Sequence, residues 1–510
     1  MAAQIIWTCR RFSKLSLKDW AQDKSGMPVL ARLPTHTINS QGQSKIMTTY
    51  EEEKTALLQW RSKVNDKRTG DQEELRNSPL FSLSVRHNID NSTNKAKIFP
   101  QYGLLGYDLE NVDEDGDIEP ILFNVDAPHS TFICGSQGGG KSYTLSAVLE
   151  NCLLKNKTVN HLALPIAGLV FHYDLNSTLA NETATLCSLE IKVRVLASAA
   201  NLVEIRRRYS ALEGANNHLT VEALLFRDSQ LDANSMKKLM AFSDQEGSVP
   251  LYMEIIEHEL RQMKKASKPF NFKAFRTKLE DDKNFNPAQK SMMKQRFDLL
   301  QEFMDSRQKT TNANMLDLQP GTLTIVDLSD TFVGPATVCS LFDICLGLVL
   351  QQPKAVAKII ALDEAHKYLN KSDAAATFTE HLLSTIRTQR HNGTRVVIST
   401  QEPTLSPSLL DLCNTSIIHH FNSPAWFAAI EGHLGGASSM TTTEHGRAEL
   451  FKRILGLKLG ESLVFSPSSF VGSDEDGMPR KLGSGVLSLQ TRLRMGMDIG
   501  MSDMASKGLV

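Results

Sequence analysis

Short apolar runs, each closing on a polar or acidic residue, recur along the chain from residue 128 onward. They are STFICG (130–135), AGLVFHYD (167–174), EIKVRVLA (190–197), GTLTIVDLS (321–329), AKIIALDE (357–364), TRVVISTQ (394–401) and ESLVFSP (461–467). Most are continuous rather than alternating, the pattern of strands covered on both faces in a parallel sheet. Helical periodicity fills several of the intervals. In 373–391, Phe378, Leu382 and Ile386 recur at spacing four, with Asp373 at the start and Gly393 just past the end. This alternation predicts an α/β fold with a mostly parallel, doubly wound sheet and crossover helices.

Between about 200 and 318 the alternation stops and the pattern is almost wholly helical. Asn286-Pro287 reads as a cap plus a first-turn proline, and Met293, Phe297, Leu300 and Met304 then form one apolar stripe. A helical subdomain of roughly a hundred residues, large enough to pack on its own, is therefore expected as an insertion at 200–318, splitting the core into 96–199 and 319–470. Residues 1–95 mix Ser, Thr, Asn, Gln and charge, and only EEEKTALLQWRSKV (51–64) is periodic, so disorder with one short helix is expected there. Strand-like fragments in 98–125 flank an acidic stretch, and 108–119 holds seven acids and no base. Its spacing lacks the Gly and Glu of a calcium loop, so it reads as a solvated hairpin turn. The Gly-, Ser- and Met-rich segment 471–510 reads as a flexible tail with one strand at GVLSL (485–489).

Composition narrows the classes further. In 510 residues, 56 Lys and Arg stand against 57 Asp and Glu, a net charge of -1, which excludes a strongly basic nucleic-acid coat. Seven scattered Cys without a CxxC pair argue against a disulfide framework or a zinc ribbon and suit a reducing compartment. No apolar run is long enough to span a membrane as a helix. The expected location is intracellular, cytoplasmic or nuclear. Residues 1–18, with Arg10, Arg11, Lys14 and Lys18 and no acid, resemble a mitochondrial transit peptide, although a solvated basic tail is the simpler reading.

The chemistry-bearing motifs sit at strand ends. Gly135-Ser136-Gln137-Gly138-Gly139-Gly140-Lys141-Ser142 matches GxxxxGK[ST] between an apolar strand and the helical run that begins at Tyr143. Glycines there let successive backbone N–H groups curl around an anion, and the helix N-terminus adds positive potential. The expected ligand is ATP, with residues 135–143 around the phosphates, Lys141 reaching the β- and γ-phosphates and Ser142 on Mg²⁺. Three strands end in Asp174, Asp327 and Asp363, and only Asp363 is followed by Glu. Asp363 is the expected Mg²⁺ residue and Glu364 the base that polarises water, while Asp174 and Asp327 read as strand-end loop caps. Beyond them, Arg387 and Arg390 close a helix and Gln401 closes the next strand. A polar strand tip can sense the γ-phosphate, and an Arg at a subunit edge can act in trans, though each Arg alone reads as a helix-end charge.

Together these residues resemble the HerA/FtsK superfamily of hexameric pumping ATPases. The likeness rests on GSQGGGKSYTLS, on IIALDEAH as the Walker B strand, and on TIRTQRHNGTRVVISTQEPTLSPSLLDLCNTSII. It implies a RecA-like (ASCE) core, Gln401 as the sensor glutamine, and Arg387 and Arg390 as the arginines before that strand. The chain departs from the family in Glu402, where an Arg is common, and in having only fragments of an N-terminal β-barrel before residue 125. His366 in the DEAH stretch reads as the first-turn residue of an exposed helix. The resemblance implies a homo-oligomeric motor, a hexamer in that superfamily, that moves DNA. Two other classes stay open: a nucleotide-controlled switch or scaffold, and a protein-remodelling ATPase. The run Arg261–Lys278 carries seven cations, no acid, and Phe270, Phe272 and Phe275. It is either a strand-binding surface or a solvated helix whose Phe residues face the core.

Overall fold

The continuous apolar runs become neighbouring strands of one sheet. The computed structural model describes residues 67–92, 98–112, 116–240, 253–265, 270–305, 315–353, 356–435, 437, 441–474 and 478–497. The helix expected at 51–64, acids 113–115 and Lys268 lie outside these residues. The strands in chain order are β1 (Leu80–Ser82), β2 (Tyr102–Val112), β3 (Ile118–Asn124), β4 (Ser130–Cys134), β5 (Asn160–His161), β6 (Ala167–His172), β7 (Lys192–Ala197) and β8 (Leu219–Ala223). They continue with β9 (Thr322–Asp327), β10 (Lys358–Leu362), β11 (Thr394–Thr400), β12 (Thr415–His419), β13 (Glu461–Phe465), β14 (Phe470–Ser473), β15 (Pro479–Lys481) and β16 (Leu487–Thr491).

The sheet has two halves. One is parallel throughout, in the order β12-β4-β11-β10-β6-β9-β7-β8. Alternate residues of each strand feed opposite faces: Phe132 and Cys134 of β4 join one apolar cluster, and Ile133 joins the other. Both faces of the central strands are covered, which is why they read as continuous apolar runs, whereas edge strand β8 alternates half-buried and exposed positions. The other half, β13-β16-β2-β3-β1 with β14 and β15 beyond, is mainly antiparallel. It joins strands from residues 80–124 with strands from 461–491. Each end of the chain alone therefore shows only fragments of it.

Several expectations change here. ESLVFSP forms β13, but it runs antiparallel to β12. The segment read as a flexible tail holds three strands: β14 and β16 pair with strands elsewhere in the chain that a local pattern does not reveal, and β15 folds back on β14. The helix predicted over 373–391 ends at Arg387, is capped by Ser372 rather than Asp373, and is followed by a separate turn, Gln389–Asn392. Region 200–318 is not wholly helical, since β8 extends the main sheet. Its helices Ala233–Met240, Met253–Lys265, Phe272–Glu280 and Pro287–Gln301 do not enclose a core of their own. Met236, Phe275, Met293 and Phe297 belong to the same apolar cluster as Phe132 and Phe342. Lys238 pairs with buried Asp343 and Arg296 donates to Thr337 at 3.1 Å, fastening these helices to the core helix Pro335–Leu350. The cap at Asn286 forms as expected, with its side chain accepting from Gln289 N at 2.8 Å and Gln289 returning the bond at 2.9 Å.

The basic run resolves against a stacking surface. Phe272 and Phe275 are buried, Phe270 packs against the same core, and aromatic residues held there have no face to offer a base. Arg261 pairs with Glu257, Arg276 with Glu280 and Asp298, and Lys278 with Glu259. The acids that pair with them lie outside the run, Glu257 and Glu280 one turn away and Glu259 and Asp298 on other helices. Among the described residues the cysteines are free thiols, and no helix is long and apolar enough to cross a membrane.

Candidate functional site

All the chemistry-bearing strand ends lie along one edge of the parallel half. Registers place Thr400 beside Cys134, Leu362 beside Phe171, and His172 beside Asp327. Gly135, Gln401, Asp363 and Asp327 follow on that edge. One strand, β11, separates the phosphate-loop strand β4 from the Asp363 strand β10.

The loop after β4 turns through Gly138 (φ 74°) and Gly140 (φ 108°), conformations that a side chain would strain, before the helix Lys141–Leu153 begins. Its shape is held from outside. Ser136 N and Oγ both donate to the His420 carbonyl, at 2.8 and 2.9 Å, and Lys141 Nζ donates to the Ser136 carbonyl at 3.2 Å. His419 lies beneath the loop, and a Cβ on Gly135 would come within 2.6 Å of the His419 Cβ. Burial pushes the His419 pKa down to about 4, so the ring is neutral. Its Nδ1 faces the Glu461 carbonyl at 3.0 Å, which can only accept. Nε2 therefore accepts from the Thr144 hydroxyl at 3.0 Å, and Thr144 in turn bonds Thr491 at 3.0 Å. Thr144→Val removes this link and leaves the buried ring nitrogen unsatisfied. The expected loss is about 1–3 kcal/mol of stability, read from the urea midpoint, and an unchanged midpoint would show that the chain carries no load.

At the tip of β10, Asp363 Oδ2 accepts from His172 Nδ1 at 3.2 Å and from Asn181 Nδ2 at 2.7 Å. Burial alone would raise the Asp363 pKa, but His172 and Asn181 hold it below its ordinary value. Burial alone would lower that of His172, yet Asp363, Asp327 and Asp174 raise it to about 9. The pair is thus an imidazolium and a carboxylate. Asp363 Oδ1 is buried without a hydrogen-bond partner. Glu364, next in line, is held in the left-handed region at φ 49°. Burial first, and the Asp363 charge second, raise its pKa. Gln401 Nε2 donates to its Oε1 at 3.0 Å, while Oε2 has no hydrogen-bond partner and lies 3.4 Å from His366 Nδ1. His366 is half-buried in a single turn, Ala365–Lys367, not on an exposed helix, and burial lowers its pKa to about 4.

The structure thus brings Lys141, Ser142, Asp363, Glu364 and Gln401 to one edge and leaves Arg387 and Arg390 elsewhere. Gln389 between them bonds Asn414, which flanks the opposite ends of β4 and β12. At about 3.3 Å per residue, β11 sets these arginines about 20 Å from the phosphate loop of their own chain. Both are exposed. Asp174 and Asp327 do cap loops, through Asn176 N at 2.9 Å and Ser329 N at 3.0 Å. Asp327 also accepts from the buried Tyr209 hydroxyl at 2.7 Å. His172, Asn181, Tyr209 and His419 had no sequence signal of their own, since their roles come from partners 118–275 positions away.

Two hard oxygen donors, the Ser142 hydroxyl and the orphaned Asp363 Oδ1, suit a small divalent cation such as Mg²⁺. The nearby Glu364 Oε2 suits a polarised water.

No protein-family model matches the chain, and no curated protein matches it. Among solved structures it is similar to VirB4 of Thermoanaerobacter pseudethanolicus, at 12% identity over 76% of this chain and 96% of that one, with a TM-score of 0.50. Weaker likenesses include the bacterial conjugative coupling protein TrwB, at 12% identity over 82% and 93% with a TM-score of 0.40. Another is the genome packaging NTPase B204 from Sulfolobus turreted icosahedral virus 2, at 11% identity over 66% and 91% with a TM-score of 0.29. The strand order around the phosphate loop and the VirB4 likeness agree: the chain has the RecA-like P-loop fold that its HerA/FtsK resemblance implies.

Proposed function

We propose that this chain is an ATP-hydrolysing P-loop motor that works as a homo-oligomer, hexameric in its HerA/FtsK-like form, and moves DNA. The observation that carries hydrolysis is the Gln401–Glu364 bond beside Asp363, across from the phosphate loop. Residues 135–143 wrap the phosphates, and Lys141 leaves the Ser136 carbonyl to meet the β- and γ-phosphates. Ser142 and Asp363 would hold Mg²⁺, which when bound would neutralise charge on the phosphate oxygens. His172 and Asn181 fix the Asp363 carboxylate for that task. Gln401 fixes one oxygen of Glu364, so the other, Oε2, is turned to the attacking water and takes its proton. The raised pKa of Glu364 makes it a better base near neutral pH than an exposed carboxylate.

Arg387 and Arg390 cannot serve their own site at such a distance, so in this reading they act in trans. Arg387→Ala or Arg390→Ala should bind ATP normally, lose turnover, and regain part of it when mixed with Lys141→Ala subunits. A fully active monomer by light scattering with ATP and Mg²⁺ present sinks the trans role. DNA is tested separately, by turnover with and without single- and double-stranded DNA. Among the described side chains of the 261–278 run, Lys265 and Lys273 are exposed and outside these ion pairs, and they are its candidate phosphate contacts. Turnover that ignores DNA, with no salt-sensitive DNA binding, favours the switch or protein-remodelling readings, and the ion-paired state of Arg261, Arg276 and Lys278 is what keeps those readings in play.

A further inference from the structure

After β16 the chain crosses the phosphate-loop helix and fastens to it at successive turns. Arg492 donates to Glu150 at 2.7 Å, to Asn151 Oδ1 at 3.2 Å and to the Leu104 carbonyl at 2.8 Å. Glu150 Oε1 accepts from Met495 N and Gly496 N at 2.9 and 3.0 Å. Two residues of this strap reach beyond the helix to the segment 182–189: Met497 N donates to Ser188 Oγ at 3.5 Å, and Arg494 reaches Glu182. Arg494 N donates to the Tyr143 hydroxyl at 2.7 Å, and its guanidinium sits 5.0 Å from the Tyr143 ring centre. The same guanidinium donates to Glu182 Oε2 at 3.0 Å, with its side chain only 2% exposed. Tyr143 immediately follows Ser142. Glu182 opens the short helix Glu182–Leu189, whose capping residue is Asn181, the residue that donates to Asp363.

We propose that Arg494 is a positioning residue for nucleotide turnover, holding the Ser142 side of the site and the Asn181–Asp363 side in one register. The inference rests on the ATPase reading, in which Ser142 and Asp363 share one cation. Two groups that share a ligand must keep their separation to within a fraction of an ångström. They stand on different elements, and Arg494 bridges the two through Tyr143 and Glu182. Arg492 anchors the strap, whereas Arg494 transmits its position into the site. Loosening the bridge should therefore lower the rate of the chemical step far more than the affinity for nucleotide, because the phosphate loop itself is left intact.

The test uses the full chain as wild type, Arg494→Ala, Arg494→Lys and Lys141→Ala. It reads kcat and KM for ATP, the affinity for a fluorescent ADP analogue in EDTA, and amide exchange across residues 181–189. Arg494→Ala should lose about 30- to 100-fold in kcat, since small misplacements near the chemistry cost up to about 10²-fold. KM and analogue affinity should stay within about threefold, amides 181–189 should exchange faster, and Arg494→Lys should recover part of the rate. A kcat for Arg494→Ala within about threefold of wild type overturns the proposal. So does a rate loss matched by lost analogue affinity and unrescued by Lys, which marks a merely structural role. Wild-type turnover no higher than that of Lys141→Ala removes the ATPase reading instead. Exchange across 181–189 then decides alone, and an unchanged rate in Arg494→Ala overturns the bridge.

Discussion

Glu364→Gln is expected to lower kcat for ATP by about 10²–10⁴-fold while leaving nucleotide affinity within a few-fold of wild type, the range for losing a positioned general base. The amide still accepts from Gln401 through its oxygen, so the local geometry survives and only proton acceptance is lost. Lys141→Ala makes the contrasting case, because removing the cation at the β- and γ-phosphates weakens binding itself. Single-turnover kinetics alongside equilibrium binding of a fluorescent ATP analogue separate the two effects. Equal turnover by wild type and Glu364→Gln would remove Glu364 from the chemistry and leave Asp363 with its polar ring as a binding device alone.

The largest stability effect should come from the anchor of the C-terminal strap. Arg492 and Glu150 are 3% and 1% exposed, and their bond at 2.7 Å joins β16 to the phosphate-loop helix. Glu150→Ala leaves a buried guanidinium without its counter-charge and orphans Met495 N and Gly496 N. Removing one partner of such a pair is strongly destabilising, about 3–5 kcal/mol. Glu110→Ala is the control: it breaks the pair with Arg453, in which Glu110 is 58% exposed, and should change stability by about 0–1 kcal/mol. Denaturant midpoints of the two variants give the comparison. Similar small shifts for both would mean that the strap is held by backbone pairing of β16 rather than by its buried charge.

Both predictions draw on groups that differ in how far they could be read from the chain. The phosphate loop is local: strand, glycines, lysine and helix follow one another within 135–153, and short-range sterics of Gly138 and Gly140 decide its shape. The central strands of the parallel half were legible for a similar reason, since cover on both faces favours a continuous apolar run, whereas the edge strand β8, half-exposed, was not. The acidic pair was legible because Asp363 and Glu364 are adjacent and close a strand. Gln401 owed its prominence to the HerA/FtsK resemblance, and the structure then placed its amide on Glu364.

Other parts had no local mark. In the basic run, spacing counted charges and rings but could not say which way the rings faced. Once the helices packed on the sheet, hydrophobic burial took Phe272 and Phe275 inward, and acids on the next turn or on adjacent helices paired with the cations. The composition of 471–510 suggested a loose end, yet strand partners in 80–124 and 461–465 give the backbone groups of β14 and β16 their hydrogen bonds. By itself the sequence determined a P-loop α/β core, its phosphate-binding loop and the acidic pair opposite, all set by near neighbours and by burial period. Only the tertiary structure decided what holds Asp363, what lies beneath the loop and where the chain's last strands go. Those depend on His172, Asn181, His419 and Arg494 meeting partners far away in sequence, and such contacts exist only once the sheet has brought its strand ends to one edge.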